Sequence, residues 1–217
     1  MSTFGSFTSM ATVEQYILDL AEKWFPEYIA ETERQLGEPP ETYPDLRDYG
    51  VANEFDKWPE EHLPFLLAMY TGLSEQPRRD GEGTYSVRAL FACAIIVATN
   101  SKVETRKAAH AYATAFRPMM LQHQDLEHPE KIGGMSFVYE RPAPIPEDGA
   151  RSLMAMNMHF VIDVKDILSE NGVPPEPEPR PDPYVPPGEL GIILPEDPDN
   201  PTTPRGGVTI EERETTP

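Results

Sequence analysis

Cysteine is almost absent from this sequence: Cys93 is the single cysteine among 217 residues. A disulfide framework and a zinc site built from several thiolates are therefore both excluded. A chain of this length can bury a real hydrophobic core without such cross-links. Because Cys93 lies in the middle of an apolar alternating segment, we interpret it as a small core residue and not as a nucleophile.

Long apolar runs are also missing, since no segment approaches the ~18 apolar residues that a membrane-spanning helix needs. Residues 1–11 lack the basic start and the apolar centre of a signal peptide. We therefore expect a soluble protein with no membrane contact and no secretion signal.

Positive charge is scarce, with 18 basic against 37 acidic residues and a formal net charge of −19. Such a protein repels phosphate backbones, which argues against a nucleic-acid-binding function. Two interpretations of the acidity remain open. It increases solubility, or it keeps DNA from adhering to a surface along which DNA passes.

Recognisable catalytic motifs are lacking as well. The sequence contains no glycine-rich phosphate loop, no GxSxG elbow and no HExxH helix. The segment 123–134 contains His123, Asp125, Glu127 and His128, whose side chains can bind metals, but its two histidines are five positions apart and do not have the i, i+4 spacing of a helical histidine pair. We expect no catalytic residues, no metal and no cofactor, and hence a protein that is not an enzyme.

The most informative segment that is present runs from Thr84 to His123. From Tyr85 onward, bulky residues alternate over about fifteen positions, which predicts a strand much longer than average. Both of its faces are apolar, so we expect both to be covered, and the alanine-rich face suits close approach by a helix or a neighbouring subunit. One face carries Tyr85, Val87, Ala89, Phe91, Cys93, Ile95 and Val97, and the other carries Leu90, Ala92, Ala94, Ile96 and Ala98.

A helix is predicted directly after this strand. Ser101 and Glu104 have the spacing of a capping box, and apolar residues follow at intervals of three and four. Pro118 should kink this helix or end it. An N-terminal helix is predicted from a second capping box at residues 12–15, with a bend or restart at Pro26 and an end at Gly37.

Three further strands are predicted at residues 63–71, 135–141 and 153–167, while residues 38–53 are predicted to form an ordered loop and residues 72–83 a hairpin-like connection. The predicted fold is α+β. It has a mainly antiparallel sheet of about four strands, packed with an N-terminal helix and a central helix.

The predicted domain organisation is a flexible N-terminus (residues 1–11), an α+β domain (residues 12–173) and an extended C-terminal arm (residues 174–217). The arm contains 13 of the 25 prolines together with ten acidic residues and three arginines. Such a composition cannot bury a core of its own. It is either a disordered tail or an arm that binds a neighbouring subunit.

Five residues are the candidate partner contacts. Ile192, Ile193 and Leu194 form the only apolar cluster of the arm and could anchor it, for example by adding a short strand. Arg78 and Arg79 are adjacent positive charges in an acidic protein. They are either solvated loop charges or contacts for an acidic partner.

Three segments resemble the tail-terminator proteins of long-tailed bacteriophages, particularly those of actinobacterial hosts. They are the strand LPFLL at residues 63–67, the helical segment TRKAAHAY at 105–112 with MLQH at 120–123, and GMSFVYE at 134–140. The resemblance covers residues 12–172 and follows the order of helices and strands. The arm has no counterpart in the family.

The resemblance implies a virion structural protein that forms a ring, usually of six subunits. Such a ring caps the tail tube, ends its polymerisation and joins it to the head-side connector, while DNA passes through the lumen without specific binding. The implied partners are further copies of the chain, the tail tube protein and the connector or stopper protein. The implied location is the tail and neck region of a virion assembled in the host cytoplasm.

Three alternatives remain open. The first is another head-to-tail connector, such as a stopper or neck protein. The second is a cellular α+β binding module with a proline-rich tail. The third is an enzyme that uses carboxylates on an exposed sheet face.

Overall fold

The computed structural model describes residues 7–51, 62–80, 83–145 and 152–169. The chain divides into two units, Met1–Pro175 and Glu176–Pro217, and all described residues belong to the first. Almost all of the predicted C-terminal arm, including Ile192, Ile193 and Leu194, is in the second unit. The whole arm lies outside the described residues.

The described residues form two helices and one mixed sheet of six strands, so the predicted α+β class is confirmed. The order across the sheet is β1-β2-β4-β6-β5, and β3 pairs with β4 beside β2. All strand pairs are antiparallel except β1 with β2. The elements are α1 (Met10–Leu36), β1 (Asp48–Val51), β2 (Phe65–Leu73), β3 (Arg78–Arg79), β4 (Thr84–Thr99), α2 (Lys102–Gln122), β5 (Ile132–Ile145) and β6 (Ser152–Ser169).

Helix α1 begins earlier than predicted, because the capping box was placed on the wrong residue. Ser9 is the N-cap, and its hydroxyl accepts a hydrogen bond from the amide of Thr12 at 3.1 Å. Gln15, the fourth residue of the predicted box, does not reach back to the helix start, since its side-chain amide donates to the Asp19 carboxylate at 2.7 Å. The Glu14 carboxylate accepts from the amide of Tyr70 in β2 at 2.6 Å. Pro26 lies inside one continuous helix, and Gly37, with φ of 70°, ends it as predicted.

Helix α2 begins where predicted, with Ser101 at the N-cap, but the predicted capping-box hydrogen bonds are absent. The Ser101 side chain makes no capping bond. The hydroxyl of Thr99 accepts from the Ser101 amide at 3.2 Å, and the hydroxyl of Thr105 donates to the Ser101 carbonyl at 2.9 Å. Hydrogen bonds to these two threonines thus take the place of the predicted bond to the Ser101 side chain. The helix continues past Pro118 to Gln122.

The predicted loop at residues 38–53 ends in a strand, β1, which pairs in parallel with the start of β2. Glu33 positions the chain that leads to it. The Glu33 carboxylate is buried in α1 and accepts from the amides of Glu41 at 3.0 Å and Tyr43 at 2.7 Å. Both bonds involve a charged acceptor, so they are stronger than ordinary amide bonds.

The main core lies between the helices and one face of the sheet. Both helices contact this face, which presents alternate residues of β4 from Val87 to Val97. Aromatic rings join the layers: Phe116 of α2 meets Phe160 of β6 at a centroid distance of 6.2 Å, and Phe25 of α1 stacks on Tyr112 of α2 at 5.9 Å. Cys93 is fully buried here, and this burial raises the pKa of its thiol.

Strands β4 and β6 extend past the helix that crosses them. β4 has 16 residues and β6 has 18, whereas α2 has 21. At ~3.3 Å per strand residue and ~1.5 Å per helical residue, β4 spans about 50 Å and α2 only about 30 Å. The sheet therefore continues beyond α2, toward the half-buried residues Thr84, Tyr85 and Ser86.

Candidate interaction surface

The face of the sheet that points away from the helices is the candidate functional surface, and we name it the alanine face. On β4 it presents Leu90, Ala92, Ala94 and Ala98, which are half-buried, and Ile96, which is buried. The strand pairings place further residues beside them: Leu67 and Met69 from β2; Leu153, Ala155, Asn157, His159 and Val161 from β6; and Tyr139, Arg141, Ala143 and Ile145 from β5.

Within this single chain the two faces of β4 are covered unequally, so full cover of the alanine-rich face would require a neighbouring subunit. Every second residue from Val87 to Val97 is buried beneath the helices, but the alanine face is only partly covered. Met69 is 40% exposed and Tyr139 is 48% exposed. Exposed apolar and aromatic side chains on one sheet face are typical of a surface that contacts another molecule.

One end of the alanine face is closed by a small apolar cluster. Leu63, Phe65 and Leu67 pack there with Ile96 and Ala155, and each is at most 9% exposed. The accessible part of the face therefore lies toward its centre.

An aromatic pair forms the centre of the accessible part. The ring of Tyr139 stacks on the imidazole of His159 with centroids 4.2 Å apart and planes 18° apart. Burial lowers the pKa of His159, which favours the neutral imidazole at neutral pH. Arg141 is exposed next to this pair, opposite Asn157, and forms no ion pair with a described residue.

The charge of the alanine face differs from that of the whole protein. At the centre of this face, neither the β4 residues that it presents from Ala92 to Ala98 nor the β6 and β5 residues paired with them include an aspartate or glutamate. Asp163 lies on the same side of β6 beyond Val161, where it pairs with Arg88. The outer side of α1, in contrast, exposes Asp19, Glu22 and Glu27.

The predicted contact residues Arg78 and Arg79 lie in β3, where they pair with Ser86 and Tyr85 of β4. Both are exposed. Arg78 forms an ion pair with Glu75, whose other carboxylate oxygen accepts from Arg88 at 2.9 Å. Part of the local positive charge is thus balanced within the β2–β4 connection, and these arginines are distant in register from the Tyr139–His159 pair.

The potential metal ligands of residues 123–134 have structural partners. His123 stacks on Trp24 at 4.9 Å, and His128 stacks on Tyr16 at 3.7 Å. The Glu127 carboxylate accepts from the Lys23 ammonium at 2.7 Å and from the Trp24 indole, also at 2.7 Å; these bonds, that from Lys23 first, lower its pKa. Within the described ranges no three potential ligands converge on one point.

These contacts attach the loop after α2 to the side of α1. Periodicity could not identify them, because the partners are far apart in the sequence: Glu127 is 104 positions from Lys23 and 103 from Trp24.

A cavity of about 250 Å³ lies where β4 passes into α2. Its walls include Arg47, Glu104 and Lys107, and the Lys107 ammonium binds Glu38 at 2.6 Å. Opposite charges are mixed in this wall, so it favours no ionic class of ligand.

Neither helix of the described part is long and apolar enough to cross a membrane.

Comparison with known proteins gave structural neighbours, but no protein-family model and no curated protein sequence matches the chain. Among solved structures, a chain from the virion of a native gene transfer agent particle aligns with 74% of this chain and 99% of its own length. The sequence identity is 12% and the TM-score is 0.46, so the match describes a partial likeness of fold.

Proposed function

We propose that this protein is a virion structural protein, and specifically the tail terminator of a long-tailed bacteriophage. It would form a ring, usually hexameric, that caps the tail tube, ends tube polymerisation and joins the tail to the head-side connector. In this role it is not an enzyme and needs no cofactor. Its location would be the tail and neck region.

The resemblance in sequence supports this proposal because its three segments occupy defined elements of the fold. Residues 63–67 lead into β2, residues 105–112 form the first half of α2, and residues 134–140 lie in β5. All three belong to the layers that build the sheet and its helix-covered core. The quoted residues therefore describe a fold and not a catalytic centre.

The single observation that best carries an assembly function is the alanine face. A sheet face that is solvated in a monomer normally carries polar residues, whereas this face is rich in alanine and exposes Met69 and Tyr139. The long strands β4 and β6 also extend past α2, so the sheet has surface there that α2 does not cover. Both features suit a protein whose surface is completed by neighbours.

The acidic surface of the protein supports the proposal that DNA passes through the lumen of the ring. Asp19, Glu22 and Glu27 on the outer side of α1 create a negative surface. A lumen with such walls repels the phosphate backbone and lets DNA slide without adhering. A surface of this kind would serve a conduit better than it would serve a DNA-binding protein.

The experiment is to image the purified protein by negative-stain electron microscopy, alone and with polymerising tail tube protein. We expect rings with a central hole, or rings on tube ends, and a narrow distribution of tube lengths. A strictly monomeric protein that leaves tube length unregulated would contradict the proposal. Rings that bind the connector but do not limit tube length would indicate a stopper instead.

A further inference from the structure

The Tyr139–His159 pair has the properties of a peptide-binding platform. It offers a flat aromatic surface, because the two rings are nearly parallel at 4.2 Å, and Tyr139 is 48% exposed. The rings lie on the side of β5 and β6 away from the helices, since the neighbouring residues Phe137 and Phe160 point toward α2. No helix of the described chain competes for this surface.

A positively charged side chain next to the platform can select for an acidic ligand. Arg141 is exposed and without an ion pair among the described residues. The centre of the alanine face, around Ala92, Ala94 and Arg141, contains no carboxylate, so Arg141 is the charged group that a ligand would meet there. An acidic ligand would be attracted here and repelled elsewhere.

A shallow apolar trough leads away from the platform along β4. Ala92 and Ala94 have small side chains between the larger Met69 and Leu67 on one side and His159 and Asn157 on the other. Aliphatic side chains of an extended ligand can lie in this trough. The surface therefore fits a ligand that combines prolines, carboxylates and a few aliphatic residues.

We propose that the platform binds an acidic, proline-rich stretch of a second copy of this chain, residues 174–194. Those residues lie outside the described part of the chain, and their sequence is the reason for the choice. They include eight prolines and four acidic residues against one arginine, and they end in Ile192, Ile193 and Leu194. This proposal rests on the proposed ring, in which copies are held side by side.

The chemistry on both sides is complementary. Proline-rich segments already favour the extended polyproline conformation, so they lose little entropy when they dock on aromatic rings. The carboxylates would pair with Arg141, and the aliphatic cluster would enter the trough. Neighbouring copies in a ring provide a high effective concentration of the segment, so a weak individual contact is sufficient.

The test uses the full-length protein with Tyr184 replaced by the photo-reactive residue p-benzoylphenylalanine. Unlabelled and ¹⁵N-labelled chains are mixed, irradiated and analysed by mass spectrometry, which separates cross-links between copies from those within one. We expect cross-links between copies that map to β5, to β6 or to Met69 in β2.

A double variant, Tyr139→Ser with Arg141→Ser, should reduce the yield of these cross-links about tenfold at limiting concentration, as expected for the loss of a central aromatic and arginine contact. Both residues are exposed, and an unchanged circular dichroism spectrum and melting temperature would show that the variant is folded. The matched control is Val103→Ser, which removes a residue that is 73% exposed on α2. The control should leave the yield unchanged.

Sedimentation analysis of the same samples separates this inference from the proposed function. If rings form but cross-links are absent, map to the helices or occur within one copy, the docking inference is overturned while the ring stands. If the chains stay monomeric and do not cap tube ends, the proposed function fails and the inference fails with it. If the double variant gives the same yield of cross-links between copies as the protein without these two substitutions, the proposal that the platform binds the segment is also refuted.

Discussion

The two faces of β4 should respond differently when one side chain is shortened, and Phe91 and Leu90 are adjacent residues that test this. Phe91 is fully buried under the helices, with its ring 5.8 Å from that of Tyr70. Truncation to alanine in such a site costs about 3–5 kcal/mol, because the contacts are lost and a cavity remains. Leu90 is half-buried on the alanine face. Full burial of a leucine contributes about 1.5–3 kcal/mol, so Leu90→Ala should cost about 1 kcal/mol.

The assay is urea denaturation followed by circular dichroism, which gives the free energy of unfolding of each variant and of the wild type. The measurement is made at a protein concentration low enough for copies to be separate. Equal losses for Phe91→Ala and Leu90→Ala under these conditions would refute the description of a one-sided core. If the cost of Leu90→Ala increases with protein concentration, a second copy covers the alanine face.

Three further outcomes follow from single sites. Glu33→Ala should lower the free energy of unfolding by about 2–4 kcal/mol, since it leaves the amides of Glu41 and Tyr43 without an acceptor. Urea denaturation measures this loss, and a clearly smaller value would contradict the expectation. Cys93 should not react with a thiol reagent until the protein unfolds, because burial raises its pKa and blocks access; rapid labelling of the native protein would disprove this. The pKa of His159 is lower in the fold than its ordinary value of 6.5, so its contribution to stability is present above pH 6.5 and is lost as the pH falls through the folded pKa. The melting temperature of wild type should therefore fall more between pH 8 and pH 5 than that of His159→Gln.

Hydrophobic periodicity predicted most of the fold. The four long strands and both helices are present, and the end of α1 at Gly37 follows from the need for a positive φ. Strands β4 and β6 were clear because their apolar residues alternate over more than a dozen positions. The prediction was strongest where the element is long and its own sequence determines its pairing.

The short strand β1 and the hydrogen bonds that cap the helices were not predicted correctly, because residues outside these segments determine them. β1 has only four residues, and its pairing with β2 depends on a loop that Glu33 holds from α1. Both capping boxes were wrong in detail because several serines and threonines near a helix start can fill the same role. Spacing could not show that Ser9 is the cap of α1, or that Thr99 and Thr105 bind the backbone of Ser101.

Sequence analysis predicted only part of the candidate surface. The alternation in β4 indicated two apolar faces, but it could not show that the helices cover the broader face and leave the alanine-rich one partly exposed. The stacking of Tyr139 on His159 requires the register of β5 against β6, which includes an irregularity between Phe137 and Tyr139. Pairing across strands of this kind is set by the folded sheet.

Strand β5 occupies the outer position in the sheet order and carries Pro142 and Pro144 near its end. Proline has no amide hydrogen, so an incoming strand would find fewer donors along this part of the edge. Strand edges without such interruptions recruit further strands and promote aggregation. A protein made in many copies inside an infected cell, as a virion component would be, meets itself constantly before assembly. The two prolines would reduce irregular β-pairing along this edge during that time.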